Sequence, residues 1–235
     1  MIPLGVLAGS ARVGSASYYD EVMADSPVCY WTHDETSGAT STDAAGNYDA
    51  TWTGTYTRNA TPLLSEGKAV SLTRAGYATA ALGTLSPTAI TVESVISIAT
   101  TIGQSVLDRD DNDSIRSWQF RVTAALKVEF LWWTVSDGPH FCTGATTLST
   151  GTAYHIAATY AAGVARVYLN GTQDATTSAT NANLKGVDLA LGIGATAVSV
   201  YPLPKFDGTI DDQAIYSTAL SAARILAHAQ AGGFA

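Results

Sequence analysis

Two adjacent tryptophans, Trp132 and Trp133, are the side chains in this sequence best suited to contact a small ligand. They lie in a run with the pattern of a strand, so their rings should point to opposite faces. One ring can belong to the core, and the other then faces a solvated surface, a groove or a partner. Because a flat aromatic ring matches the apolar C–H face of a sugar, the pair predicts a glycan contact. The alternative is that a loop such as residues 139–141 covers the second ring.

Acid–base catalysis finds little support in the sequence. Glycoside hydrolysis needs two carboxyl groups on either side of the scissile bond, and side chains two residues apart share one face of a strand. No glutamate has a second acid two or four residues away on a predicted strand, and the nucleophile motif Gly-x-Ser-x-Gly is absent. His155 has no such neighbour either and is predicted to pack in the core. We therefore expect a protein that is not an enzyme. The glutamates considered are Glu21, Glu35, Glu66, Glu93 and Glu129.

A run of acidic residues at 108–113 alternates oxygen-bearing side chains, like the start of a calcium-binding loop. It lacks the glycine at the sixth position and has Gln119 where a bidentate glutamate is needed. A solvated hairpin tip is the better interpretation.

The elements that must position these residues are strands. Thr, Tyr and Val are frequent, strong helix formers are scarce, and apolar residues recur with period two between short turn signals. Strands at short spacing without intervening helices predict an antiparallel sandwich or barrel. Two helices are predicted as well, one at 18–25 before Pro27 and one from near Thr218 to Gly232. The predicted strands include 90–98, 115–122, 125–133, 154–160, 164–170 and 188–193.

Composition and charge restrict the partners. The 235 residues include 12 Lys and Arg against 20 Asp and Glu, a net charge of -8. This balance argues against nucleic acid and anionic membrane as partners, because both need a basic surface. No apolar run approaches the ~20 residues of a membrane span, and no positive charge precedes the apolar N-terminus as in a secretory signal. Cys29 and Cys142 allow one disulfide at most and are read as two buried thiols.

Four segments, in order, resemble laminin G-like domains of the concanavalin A-like lectin/glucanase superfamily. The residues SPVCYWTHDETSG at 26–38, with DAAGN at 43–47, resemble the opening of these domains. The residues YHIAATY at 154–160, with VYLNG at 167–171, resemble the paired central strands of the family. The residues FDGTIDDQAIY at 206–216, with ALS at 219–221 and His228, resemble its closing strand and helix. The resemblance implies an all-β, two-sheet antiparallel jelly-roll sandwich over residues 18–235, with adjacent terminal strands and a short C-terminal helix.

The resemblance also implies a metal site. The family often holds Ca²⁺ between the Asp-x-x-Gly-Asn loop and the Ile-Asp strand, which here means Asp43, Asn47 and Asp211. The alternative is that Asp43 and Asn47 only form a turn and Asp211 takes an ordinary hydrogen bond. The chain departs from the family at Thr32, Ala153 and Asp212, where Arg, Trp and Glu are common; the first and third changes weaken a structural ion pair.

Residues 1–17 form an apolar arm rich in Gly, Ala and Ser, with Arg12 as its one charge. Such an arm gains little by itself and is expected to lie on a neighbouring subunit. The first nine residues also resemble the start of small tail and capsid-associated proteins of actinobacterial phages, and together these features suggest a bacteriophage virion protein, of the tail or capsid surface. We expect a homo-oligomer within an assembly, contacting other virion subunits through the arm and cell-surface glycan through the jelly roll. The alternatives are a free-standing, extracellular carbohydrate-binding lectin-like protein and, less favoured, a glycan hydrolase.

Overall fold

The chain forms an antiparallel β structure with two short helices, seen in a computed structural model that describes residues 16–85, 88–111, 115–135, 138–179, 183–196 and 205–235. Most of the predicted arm, residues 1–15, lies outside the described residues. The helices are α1 (Tyr18–Ala24) and α2 (Ala222–Ala231). The strands are β1 (Cys29–Trp31), β2 (Thr40–Ser41), β3 (Ala50–Ala60), β4 (Ala69–Ala80), β5 (Thr84–Leu85), β6 (Ala89–Ile98), β7 (Gln104–Asp110), β8 (Arg116–Val122), β9 (Val128–Trp133), β10 (Pro139–Thr143), β11 (Ala153–Ala161), β12 (Val164–Leu169), β13 (Thr172–Ser178), β14 (Val187–Asp188), β15 (Leu191–Ile193) and β16 (Asp207–Tyr216).

One hydrogen-bonded path connects most of these strands, in the order β10-β9-β8-β7-β15-β4-β16-β6-β11-β12-β13. We call β10 to β4 the front half and β16 to β13 the back half. Strands β9 and β12 from opposite halves contact each other, and side chains of both halves, such as Phe130 and Val167, share one core. All pairings among the described strands are antiparallel, and β1 pairs with β16. The predicted two-layer jelly-roll sandwich with adjacent terminal strands is confirmed.

Helix α1 forms where it was predicted. Ser17 is its N-cap: the Ser17 hydroxyl accepts a hydrogen bond from the Asp20 amide, and the Asp20 carboxylate accepts one from the Ser17 amide. Tyr18 and Val22 point to the protein and are buried. Ser17 therefore belongs to the helix rather than to a detached arm, so the arm can extend no further than residue 16.

Helix α2 begins three residues later than predicted. The N-cap is Ser221, whose hydroxyl accepts a hydrogen bond from the Arg224 amide. Thr218 cannot cap this helix because its segment is tied to β6: the Thr91 hydroxyl donates to the Thr218 carbonyl and accepts from the Leu220 amide. The predicted end is confirmed, with Gly232 as the C-cap.

A buried cluster of polar side chains connects α2 to the back half by hydrogen bonds. The Glu93 carboxylate on β6 accepts hydrogen bonds from His155 on β11, Tyr216 on β16 and His228 on α2, at 2.5 to 3.2 Å. Glu93, His155 and His228 are all fully buried. His155 thus lies in the interior, as predicted, and its acidic partner comes from the neighbouring strand.

The prediction that the acidic run at 108–113 forms a solvated hairpin tip is wrong for residues 108–110. Asp108, Arg109 and Asp110 continue β7 and are buried, because β7 lies between β8 and β15 inside the front half. The Arg109 guanidinium donates to three backbone carbonyl oxygens, those of Gly83, Val187 and Leu189. Residues 112–114 lie outside the described residues.

The two cysteines are buried and unpaired. Burial raises the pKa of both thiols. Cys29 and Cys142 are therefore structural, as predicted.

Candidate functional site

The predicted calcium ligand Asp43 organises a tight turn. One carboxylate oxygen accepts hydrogen bonds from the amides of Tyr30 and Ala45, and the other accepts from those of Asn47 and Tyr48, at 2.7 to 3.0 Å. The side-chain amide of Asn47 donates to the Ala45 carbonyl. These bonds match the alternative in which Asp43 and Asn47 form a turn.

The third predicted calcium ligand, Asp211, lies on the other side of β1. Trp31 of β1 pairs with Gln213 of β16 along one edge and bridges to Asp43 along the other. Two strand spacings, about 9.6 Å, therefore separate the backbones of Asp43 and β16. The Asp43 carboxylate bonds the amides of its own turn, and the Asp211 carboxylate accepts hydrogen bonds from the amides of Leu63 and Leu64. Among the described residues, no group of three or more His, Cys, Asp or Glu is arranged to hold a metal ion.

Neither tryptophan of the predicted glycan contact is an open platform. Trp132 is fully buried between Phe130 and His140, whose ring centroids lie 5.8 and 5.3 Å from its own. This placement corrects the prediction for Trp132, because a core ring cannot meet a ligand. Trp133 points to the outer face, as alternation requires, but it is only 9% exposed and the Arg116 guanidinium lies 5.1 Å from its ring centroid.

Polar side chains that bond one another lie on the outer face of β8, β9 and β10, the face to which Trp133 points. The Arg121 guanidinium donates to both the Glu129 carboxylate and the Gln119 side-chain carbonyl, at 2.6 to 3.0 Å. The Thr143 hydroxyl donates to the other Glu129 oxygen at 2.5 Å. Because both Glu129 oxygens are engaged and Glu129 is 6% exposed, this carboxylate is structural.

An open cleft of about 480 Å³ lies instead between α1, the end of β1, the segment 64–67 and the middle of β16. We call it the tyrosine cleft. Its exposed aromatic ring is that of Tyr19, which is 44% exposed and stands 5.6 Å, centroid to centroid, from the buried ring of Tyr30. The side chains that carry its chemistry are Tyr19, Tyr30, Thr32, Asp34, Ser65, Glu66 and Asp212.

Two adjacent carboxyl groups lie at an irregularity in β16, and one of them, that of Asp212, lines the cleft. Pairing with β6 shifts register between Ile210 and Gln213, so Asp211 and Asp212 lie in a bulge. Asp211 accepts hydrogen bonds from the amides of Leu63 and Leu64, and the Tyr30 hydroxyl donates to Asp212. Burial raises the pKa of both carboxyl groups, and the charge of Asp211 raises that of Asp212 further.

Asp34 forms the outer wall of the cleft. Its Oδ1 accepts a hydrogen bond of 2.6 Å from the Lys68 amide and rests against Gly67, where a Cβ would come within 2.5 Å of that oxygen. Gly67 also has a φ of +88°, which favours glycine. The turn thus fixes Asp34 at the edge of the cleft.

Sequence reasoning missed this cleft, although signals were present. Adjacent helical residues point about 100° apart, so the Tyr18-Tyr19 pair in a predicted helix places one ring inside and one outside. Thr32 and Asp212, noted only as departures from a family pattern, both line the cleft. Thr32 and Asp212 lie 180 residues apart, and no sequence pattern predicts that they are neighbours. They come together because β1 pairs with β16.

No helix among the described residues is long and apolar enough to cross a membrane. This finding concerns those helices alone.

Solved structures share the fold at low sequence identity. The receptor-binding domain of botulinum neurotoxin C/D mosaic serotype superposes with a TM-score of 0.64 at 14% identity, covering 88% of this chain and 51% of that one. Domain 4 of AbnA, a GH43 extracellular arabinanase from Geobacillus stearothermophilus solved with arabinotriose, gives 0.58 at 20% identity, covering 87% and 98%. A structure of botulinum neurotoxin type C, whose cell entry depends on interaction with two ganglioside molecules, gives 0.61 at 12% identity, covering 88% and 52%. The chain spans about half the length of the neurotoxin chains it matches.

No curated protein sequence matches the chain. A laminin G family model does match, over residues 72–226, which is more than half of the chain and includes the strands from the middle of β4 to β16. With the antiparallel sandwich established, this match shows that the chain belongs to the concanavalin A-like lectin/glucanases superfamily.

Proposed function

We propose that the chain is a non-catalytic glycan-binding module whose tyrosine cleft receives a sugar residue. The observation that carries the proposal is an exposed aromatic ring, Tyr19, at an open cleft of about 480 Å³ beside carboxyl and hydroxyl groups. This volume lies in the range of about 300–1,000 Å³ typical of small-molecule sites.

The cleft has suitable groups for both parts of a sugar ring, its apolar face and its polar rim. The Tyr19 ring offers a flat apolar surface to the C–H face, and the polar side chains of Thr32, Asp34 and Ser65 can exchange hydrogen bonds with the hydroxyl rim. The hydrogen bond of Asp34 to the Lys68 amide holds one polar group in place before a ligand arrives, which lowers the entropic cost of binding.

Relatives of the same fold give this proposal independent support. The AbnA domain was solved with arabinotriose, and the cell entry of botulinum neurotoxin type C depends on gangliosides. Their identities to this chain are 20% and 12%, so the likeness supports a type of function and names no glycan.

A glycan array followed by calorimetric titration tests the site. Tyr19→Ala should weaken binding about tenfold, because it removes the stacking surface, and should leave the melting temperature nearly unchanged since the ring is exposed. The matched control is Phe141→Ala, which removes another exposed aromatic ring, 48% exposed, from the front half. Equal affinity of Tyr19→Ala and the unmodified chain would contradict the tyrosine cleft as the site.

The absence of catalysis is tested on the same glycans. Hydrolysis needs a pair of carboxyl groups on either side of the scissile bond, and two candidates are already engaged, Glu129 by Arg121 and Thr143 and Asp212 by Tyr30. We expect no new reducing ends after prolonged incubation with any bound oligosaccharide. Release of reducing ends that Asp212→Asn abolishes would show a hydrolase.

We propose further that the module belongs to a phage virion, at the tail or capsid surface, where the arm joins it to other subunits and the chain forms homo-oligomers. The support is the sequence of residues 1–17, which holds five large aliphatic side chains and one charge. Deletion of residues 1–15 keeps the Ser17 cap of α1 and should leave the melting temperature nearly intact while abolishing assembly. Normal assembly of this truncated chain would refute the role of the arm.

A further inference from the structure

The tyrosine cleft is lined by acidic side chains and, among the described residues, by no basic side chain. Asp34, Glu66 and Asp212 line it, and no Lys, Arg or His is among the described residues that do. Nearby arginines are engaged elsewhere, Arg58 with Glu35 and Arg224 with Glu21 and Asp25. The walls of low dielectric concentrate the resulting field inside the cleft.

The adjacent carboxyl groups of Asp211 and Asp212 respond to the charge of a ligand. Asp212 is 6% exposed and Asp211 1% exposed, and burial together with the nearby charge of Asp34 raises the pKa of each. A ligand that brings a positive charge favours the ionised form of both groups and gains free energy from that interaction. A ligand that brings a negative charge meets repulsion from the same groups.

The aromatic rings give a separate indication of the same ligand chemistry. Tyr19 and Tyr30 lie 5.6 Å apart at an angle of 39°, and the Tyr19 face is accessible. The face of an aromatic ring attracts an ammonium group within about 6 Å. The ring that would stack on a sugar can therefore also hold a charged substituent of that sugar.

We infer that the tyrosine cleft selects glycans that carry a free ammonium group, such as a hexosamine unit without its acetyl group, over neutral and acidic glycans. The ammonium would lie between Asp212, Asp34 and the Tyr19 ring. The inference rests on the proposed function, since it assigns a ligand class to the same cleft.

A pair of oligosaccharides that differ only in acetylation tests the inference. Glucosamine oligomers and N-acetylglucosamine oligomers of equal length should be titrated into the full chain near neutral pH, because acid would protonate Asp211, whose pKa is raised to about 6, and remove charge that the amine is expected to meet. We expect the deacetylated oligomer to bind about tenfold more tightly at low salt, with the difference shrinking as salt is added. Equal or tighter binding of the acetylated oligomer overturns the inference and leaves the proposed function standing. Failure of the array to find any glycan overturns both.

Two substitutions locate the selectivity in the cleft. Asp212→Asn keeps the shape and the contact with Tyr30 but removes the charge, and Thr32→Arg places a guanidinium beside it; both should abolish the preference for the amine. Asp188→Asn, which removes an exposed carboxylate outside the cleft, is the matched control and should keep it. An unchanged preference in both cleft variants would contradict the assignment, and their melting temperatures show that they are folded.

Discussion

His228 shows how a single buried side chain can tie stability to pH. Its Nδ1 lies 3.0 Å from Glu93 and its Nε2 3.0 Å from Asp25, so both ring nitrogens face carboxylates and both must donate. Burial opposes the charged ring, but the hydrogen bond and charge of Glu93, with the charge of Asp25, outweigh it and raise the pKa of His228. Burial likewise opposes ionisation of Glu93, yet the two histidines lower its pKa to about 2.

The expected consequence is a loss of stability at alkaline pH. A raised pKa in the folded state stabilises the fold fully below the ordinary histidine value of about 6.5, and the contribution disappears as pH rises through the raised value. The free energy of unfolding, from urea titrations, should therefore fall between neutral and alkaline pH. In His228→Gln that fall should be smaller, whatever the starting stability. An identical slope in both proteins would rule out His228 as its source.

Calcium binding by Asp43, Asn47 and Asp211 stays a prediction. Each carboxylate oxygen of Asp43 already accepts two amide hydrogen bonds, so a bound ion would have to displace some of them. If calcium binds the folded chain alone, a chelator should lower the melting temperature, and Asp211→Ala should abolish the difference. A melting curve that is insensitive to chelator and to added calcium contradicts the site.

Among the elements, β16 has strict local requirements. It lies between β4 and β6, pairs with β1 and contains the bulge that places Asp211 and Asp212. Near its start, Gly208 has a φ of +147°, and a Cβ there would lie 2.0 Å from the Ser97 carbonyl oxygen. Because that oxygen is backbone of β6, it cannot move aside without breaking the sheet.

Gly208→Ala should therefore destabilise the protein by roughly 2–4 kcal/mol, measured by urea unfolding. The matched control is Gly38→Ala, whose φ is +84° but whose Cβ would meet nothing within 4 Å. That variant should cost only about 1–2 kcal/mol, the strain of a left-handed alanine. Equal losses would show that the close approach to β6 is not what limits position 208.

At the scale of the whole molecule, the sheet wraps from the front half to the back half through β4 and β16, and the helices are small additions. Helix α1 has 7 residues and α2 has 10. Circular dichroism should accordingly show a spectrum dominated by β structure. A helix content above roughly a third would refute the fold.

The sequence by itself determined the fold class and much of the strand map. Period-two alternation and turn residues located β6, β8, β9, β11 and β12 to within a few residues, because these strands have one face in the core and short connections. It also predicted both helices, the buried cysteines and the interior position of His155. It did not predict the long strands β3 and β4, whose many Thr, Ala and Gly residues give weak alternation.

Only the tertiary structure decided where a ligand could bind. The sequence can show that Trp132 and Trp133 point to opposite faces, but not that Arg116 covers the second ring, since such coverage depends on packing across strands. The tyrosine cleft exists because β1 pairs with β16, which brings Tyr30 and Thr32 beside Asp212, and because α1 folds over that pair. Contacts between residues 180 positions apart follow from the closure of the whole sheet, and no local pattern encodes them.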